Sequence, residues 1–526
     1  MRWKRIGACL LAGMLLISAG EGWCQEPKSD TEALIQLLRQ KGVISDKEAR
    51  EFLQRSAEKP AMAPETRAGE PEALQEEVKR LREQLDRSSE EALQRQRLAD
   101  RKVEDLQTKL SDVNNKVFKS DWAQRIRFGG DIRLRYQGDY FDNNNALILD
   151  PNDPSKLLNT QEDRERFRYR ARLAVLASIT DPNRTEAGRF EVGMRVSTGN
   201  EKDPVSTNDT LGDYFNKDGI VLDQAYLKYT YKPSDALVFD WIPQVALTGG
   251  RIPNPWFYTD LVWDHDLAFE GLAVSLQTDT REDARLKGFL TAGAFPLQEV
   301  EVSSRDKWLY GAQAGIEAKP VNDLSAKIGA AYYDYKNVVG KLNDPARPNE
   351  YDYTAPLFLQ KGNTLFDIDP GTGIKPALAS DYDLINVTAQ LDYGRWHPIH
   401  VILTGDYVKN VGFEKSQVRS KTGSDDVEAR TDGYSAGIQV GYPNIADFAE
   451  WNVLLVYKYL EADAVLDAFT DSDFHGGGTN AKGWALGGGF GLYHNVWLAV
   501  RWMTADEISG PPLSIDVLQV DVNARF

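Results

Sequence analysis

The chain has 526 residues, more than one ordinary core uses. Its 62 basic and 79 acidic side chains leave −17, which argues against a nucleic-acid partner. Mean hydropathy is −0.46, and after the first segment no run reaches the ~20 apolar residues of a membrane helix. That excludes a helical membrane protein but not a β-barrel, whose polar lumen face keeps hydropathy low.

Residues 1–24 read as a secretory signal: Arg2, Lys4 and Arg5, an apolar run from Ile6 to Ala19, then small residues. Cleavage is expected near Cys24–Gln25, which removes Cys9 and, with the cut after it, Cys24. A mature chain without cysteine suits the periplasm and outer membrane. The rival is a lipidated Cys24, against which Glu21-Gly22-Trp23 is a poor lipobox. Residues 25–56 predict a short helical hairpin, with a stripe of Leu34, Ile35, Leu37 and Leu38 and a capping box at Ser45–Glu48. Residues 57–71 are rich in Pro, Ala and Glu and read as a linker. Residues 72–118 carry heptads: Leu74, Val78, Leu81 and Leu85, then, after a four-residue stutter, Ala99, Val103, Leu106, Leu110, Val113 and Val117. So narrow a stripe needs partner helices. It predicts a coiled coil and a homo-oligomer, taken as a trimer; the alternative is a single solvated helix.

At Trp122 the period changes to two and stays there through Phe526. About sixteen strands are expected, from 124–137 to 513–526, the fifth at 236–250 and the sixth at 262–277. Short joints such as Lys232–Asp235 and His494-Asn495 alternate with long ones such as 138–163, 199–219 and 337–380. Strict alternation is the plan of up-and-down outer-membrane barrels, and a soluble sandwich has no reason to adopt it. The last strand has Leu518, Val520, Val522, Ala524 and Phe526 on one parity and Gln519, Asp521, Asn523 and Arg525 on the other. Such a strand needs a partner edge, so Phe526 is expected to close the barrel on the first strand. The fold class is therefore an all-β transmembrane antiparallel barrel over 122–526, in outer-membrane lipid, with a periplasmic N-terminal helical and coiled-coil segment.

One parity suits lipid: Phe167, Tyr169, Ala171, Leu173 and Val175 on the second strand, Phe190, Val192 and Met194 on the third. The other is dominated by arginine: Arg127, Arg133 and Arg135, then Arg166, Arg168, Arg170 and Arg172, then Arg195. At the lipid midplane each would cost ~2–4 kcal/mol, so these side chains must line water. Two readings stay open. The guanidiniums form a basic wall that favours anions, or a structural ladder paired to acids on loops or on the opposite wall, such as Asp139 and Asp142.

The run Gly250-Arg251-Ile252-Pro253-Asn254-Pro255-Trp256, with Trp263-Asp264-His265-Asp266-Leu267-Ala268-Phe269-Glu270-Gly271, resembles the putative-porin family of Gram-negative outer-membrane barrels. That family is similar in plan to the phosphate-selective porins. The resemblance covers essentially the whole mature chain. It implies that the joint 251–261, the third outer loop, folds inward and narrows the pore, with Arg251, Asn254 and Asp260 as constriction residues. The dense lysines associated with phosphate selectivity are not apparent. The long joint 337–380, with Phe358 and Phe366, is a second candidate lid or plug.

The expected function is a passive porin for small hydrophilic solutes or ions. The alternative is an anchor or scaffold barrel, tethering the outer membrane to peptidoglycan through the coiled coil or sheathing a partner protein. The five histidines, His265, His397, His400, His475 and His494, show no metal-ligand spacing. Neither a nucleotide loop nor a serine–histidine pair stands out, so no enzyme, cofactor or metal is expected.

Overall fold

In a computed structural model, the structure describes residues 79–80, 96, 98, 101–109, 125–180, 188–231, 244–279, 284–369, 371 and 373–526. The chain forms two compact units, Met1–Thr108 and Lys109–Phe526. The expected signal, hairpin and linker lie outside the described residues, as does most of the heptad stretch. Residues 101–109 are helical and exposed.

The second unit holds sixteen long strands among its described residues. They are β1 Ile126–Phe141, β2 Arg164–Ser178, β3 Gly188–Ser197, β4 Val221–Tyr231, β5 Gln244–Pro253, β6 Ala268–Gln277, β7 Leu286–Gln298 and β8 Lys307–Val321. The ring continues with β9 Leu324–Lys336, β10 Asp383–Trp396, β11 Ile399–Asn410, β12 Asp432–Gly441, β13 Trp451–Leu460, β14 Ala481–Tyr493, β15 Val496–Glu507 and β16 Ser514–Arg525. Each pairs antiparallel with the next, and β16 returns to β1, with Asp131 opposite Arg525 and Phe141 opposite Ile515. Among the described residues every long strand has a partner on each side, so the ring closes, as lipid requires. At the seam, the Phe526 amide donates to Gly130 O and the Gly130 amide to Phe526 O, both at 3.1 Å. Gly130 leaves room there: a Cβ would lie 2.3 Å from Arg172 O and 2.6 Å from Phe526 Cζ.

Exposure is inverted relative to a soluble protein. Phe128 is 71% and Phe167 64% exposed, whereas Arg135 is 4% and Gln519 2% exposed. Apolar side chains facing out and charged ones facing in is the arrangement of a barrel solvated by lipid. The β1–β2 register runs unbroken from Ile126–Ala177 to Asp139–Arg164, so Arg127, Arg133 and Arg135 share one face with Arg166, Arg168, Arg170 and Arg172. Bulges fall elsewhere, for example at Arg195/Val196 and Pro296/Gln298.

The sixth strand starts at Ala268, not near 262. Leu261, Val262 and Trp263 carry a strand-like apolar run, but they are buried inside the barrel and belong to the preceding loop. The fifth strand begins at Gln244 among the described residues and continues to Pro253 rather than ending at 250. The loops 254–267, 337–382 and 461–480 supply an internal apolar cluster that includes Trp256, Trp263, Leu359, Leu378, Leu466 and Ala468. Strand residues such as Phe295, Tyr333, Leu384 and Val408 complete it. Helix α1, Lys415–Thr422, lies in the loop after β11, buries Val418 and ends on Gly423 at φ 68°.

Candidate functional site

The loop between β5 and β6 crosses the lumen. Pro253 and Pro255 stop β5 from continuing. Gly250, at φ 119°, lies where a Cβ would meet Ala225 O at 2.3 Å. Asn254 Oδ1 accepts the Trp256 amide at 3.0 Å and turns the chain inward. Trp256 and Trp263 then pack edge-on against Tyr333, with ring centroids 5.2 and 5.1 Å apart.

Polar anchors hold the loop on both sides. Its Phe257 amide donates to Gln313 Oε1 on β8 at 2.8 Å, and Thr259 donates to Asp406 on β11 at 2.5 Å. Asp260 takes Lys458 of β13 at 2.8 Å and Arg501 of β15 at 3.5 Å. Toward the other wall, Asp266 takes Arg170 at 3.4 Å and Arg172 at 3.3 Å, both from β2. Asp266 also accepts the Thr207 hydroxyl at 2.8 Å, and Asp264 accepts the Ser472 amide at 2.9 Å. The loop is thus a strut between β2 and the β8–β15 wall.

A second acidic arm comes from the loop after β13. Asp471 takes Lys458 at 2.6 Å and Arg501 at 3.4 Å, and Asp473 takes Arg135 at 3.1 Å. Burial pushes the loop carboxylates up. For Asp266 the neighbours Arg170, Arg133 and Arg172 more than offset it, so this group stays below the usual carboxylate range. Asp471 is likewise depressed, by Lys458 and Arg501 acting against burial. Asp264 goes the other way: burial and the nearby Asp471 and Asp266 hold it well above that range. The arrangement offers fixed paired charges along a narrowed lumen. Among the described residues, no cluster of histidine, cysteine and carboxylate able to hold a metal is present.

The sequence matches a family model described as "Putative porin" over residues 28–526. The chain belongs to the putative-porin family. It is an outer-membrane porin, a channel protein of the Gram-negative outer membrane. No curated protein matches the sequence. Similar solved structures include Pseudomonas putida OprB, at 12% identity and TM-score 0.44 over 79% of this chain and 97% of that one. The outer-membrane channel DcaP of Acinetobacter baumannii is similar at 12% identity and TM-score 0.39, over 76% and 97%. The loop L8 deletion mutant of OmpT, an outer-membrane protein of Vibrio cholerae, is similar at 11% identity and TM-score 0.40, over 76% and 99%.

In this porin the arginines of β1 and β2 share the inner wall, and most meet carboxylates. Arg135 pairs with Asp521 at 2.8 Å, Arg166 with Asp139 at 2.5 Å, and Arg170 and Arg172 with Asp131 at 2.8 and 2.7 Å. Arg195 pairs with Asp223, and Arg127 reaches Glu191 at 3.7 Å. Two differ. Arg133 reaches Asp521 only at 3.9 Å. Arg168 donates to Gln137 at 3.2 Å and to Ser206 at 3.5 Å, with no ion pair among the described residues. Both leave a buried Nε without a partner.

The three expected constriction residues separate. Asp260 is in the strut. Asn254 shapes its turn. Arg251 stands opposite Glu270 and pairs with it. It shares the outward parity of the exposed Leu247, while its neighbour Ile252 is buried inside, so Arg251 is not brought to the lumen beside the other two. Sequence reading missed Asp264, Asp266, Asp471, Asp473 and Lys458. Lys458 left a signal, a lone cation between Tyr457 and Tyr459 on a strand whose other parity is apolar. Asp264 and Asp266 stood inside the family motif, but their partners lie on distant strands.

Proposed function

We propose that this porin passes small hydrophilic solutes or ions through the water left beside the strut, with a preference for anions. The observation that carries the preference is the contrast within the arginine wall. The paired guanidiniums are neutralised locally, whereas Arg168 meets no carboxylate among the described residues and Arg133 reaches Asp521 only at 3.9 Å. A fixed cation in a low-dielectric tube lowers the barrier for anions and raises it for cations. The selectivity therefore rests first on Arg168 rather than on the whole wall. Asp260 and Asp266 set the constriction in this reading, and Phe526 closes the barrel.

The test is single-channel conductance of the detergent-folded protein in a planar bilayer, with reversal potential measured across a salt gradient. An open current with anion-selective reversal is expected. A cation-selective current would remove the anion preference, and no current would favour a plugged anchor or scaffold barrel.

The heptads of 72–118 support a homotrimer and a periplasmic arm able to reach peptidoglycan. Deleting 72–117 is expected to leave conductance intact while lowering oligomer mass in detergent and weakening envelope attachment. Unchanged mass and attachment would refute this role.

A further inference from the structure

Beyond conduction, one cavity beside the strut stands out. The outer ends of β3 to β8 and the loops above them enclose about 910 Å³, a volume within the range of sites for small organic ligands. Its deep wall is Phe269, Phe295 and Leu309, with Leu297 and Phe358 beside them. Its lining also carries charge: Glu201 and Lys202 are exposed, Asp203 follows them, and the other charged groups are engaged by protein partners. Asp223 holds Arg195, and Lys307 donates to the carbonyl oxygens of Thr354 and Ala355 at 3.2 and 2.7 Å. The deep wall itself offers a ligand only apolar surface, against which burying a charge is costly.

The cavity also reaches the barrel wall where the ladder is interrupted. β3 holds β4 as far as Val221, opposite Ser197, and β6 holds β5 as far as Pro253, opposite Ala268. Yet β4 and β5 pair only up to Ala225–Arg251. Arg251 bridges the break: its Nε donates to Asp223 O at 2.7 Å and its guanidinium pairs with Glu270. Ile220 and Leu222 are exposed beside it. Unpaired backbone at a barrel wall is tolerated only where protein or water covers it, and here a single side chain does.

We infer that this cavity binds a compact hydrophobic small molecule, with an aromatic or branched aliphatic body and at most one polar head. The ligand is admitted through the break between β4 and β5, over which Arg251 is the latch. This gives Arg251 a role distinct from the constriction.

The test uses the full chain in lipid nanodiscs with N-phenyl-1-naphthylamine as probe, read by energy transfer from tryptophan, since Trp263 lines the cavity. Saturable binding above that of empty nanodiscs is expected. Ala268→Phe, which fills the cavity, and Phe358→Glu, which charges it, should each weaken binding about tenfold or more. Arg251→Ala should speed association several-fold with little change in Kd. Heat-modifiable gel mobility checks folding of each variant, and displacement by unlabelled naphthalene serves should Phe358→Glu fail to fold. Absence of saturable binding, or parental affinity in Ala268→Phe, would overturn the site. An unchanged association rate in Arg251→Ala would overturn the access route.

Discussion

Arg168 and Asp266 form a matched test of how charge is read in this lumen. Arg168→Ala removes a guanidinium that meets no carboxylate among the described residues. Asp266→Asn removes the carboxylate shared by Arg170 and Arg172 and leaves Asp131 to serve both. A unit charge about 4 Å from a passing ion is worth ~4 kcal/mol at an effective dielectric of 20 and ~1 kcal/mol in bulk water. Water in the pore moves the value toward the lower figure. Roughly 1 kcal/mol corresponds to about a fivefold change in the anion-to-cation permeability ratio. The two substitutions should therefore shift reversal potential by comparable amounts in opposite directions, Arg168→Ala toward cations and Asp266→Asn toward anions. Asp266→Asn should also make the current noisier, because breaking a buried ion pair costs the strut about 3–5 kcal/mol. The assay is reversal potential under a KCl gradient with single-channel records. Shifts in the same direction, or no shift in either, would refute charge control by these groups. Arg170→Ala separates charge from architecture: it should loosen the strut as Asp266→Asn does, yet shift selectivity toward cations.

Three further outcomes follow from the geometry. Gly130→Val should block closure, since its side chain would meet Arg172 O and the Phe526 ring; overpacking costs about 1–3 kcal/mol even where neighbours yield, and loss of the heat-modifiable band would show it. Lys458→Met leaves Asp260 and Asp471 facing each other with Arg501 alone, so thermal unfolding in detergent should fall by an amount equivalent to about 3–5 kcal/mol, and an unchanged Tm would count against the network. Asp266 and Asp471 titrate lower in the folded chain than their unfolded value of about 3.9, so the stability they lend the strut is complete above that pH and is lost as pH falls through their folded values; a current steady near neutral pH that turns noisy only below that unfolded value is expected, and noise that sets in already above it would contradict it.

The barrel was legible because its cause is local. Alternation along β1 and β2 assigns Phe128 and Phe167 to one face and Arg135 and Arg168 to the other. No bulge interrupts that pair, so the assignment survives folding. The end of the fifth strand was legible in Pro253 and Pro255, since proline acts through its own backbone, although the strand runs through Gly250 to Pro253. The stretch 262–267 was misread as strand for the opposite reason. An apolar run carries no mark that tells a lipid-facing strand from a loop buried inside a barrel.

Beyond Asp139, which meets Arg166, charge pairing could not be read along the chain. Arg135 meets Asp473 and Asp521 across 338 and 386 residues of sequence. Asp266 meets Arg170 across 96. These partners become neighbours only when β16 pairs with β1 and the β5–β6 loop folds inward. The sequence by itself determined that most strands have one apolar and one polar face, because a period of two is a property of each strand alone. Only the tertiary structure decided which lumen charges are neutralised, which remain for a passing ion, and which, like Arg251, stand outside, because those depend on distances between segments that the ring brings together.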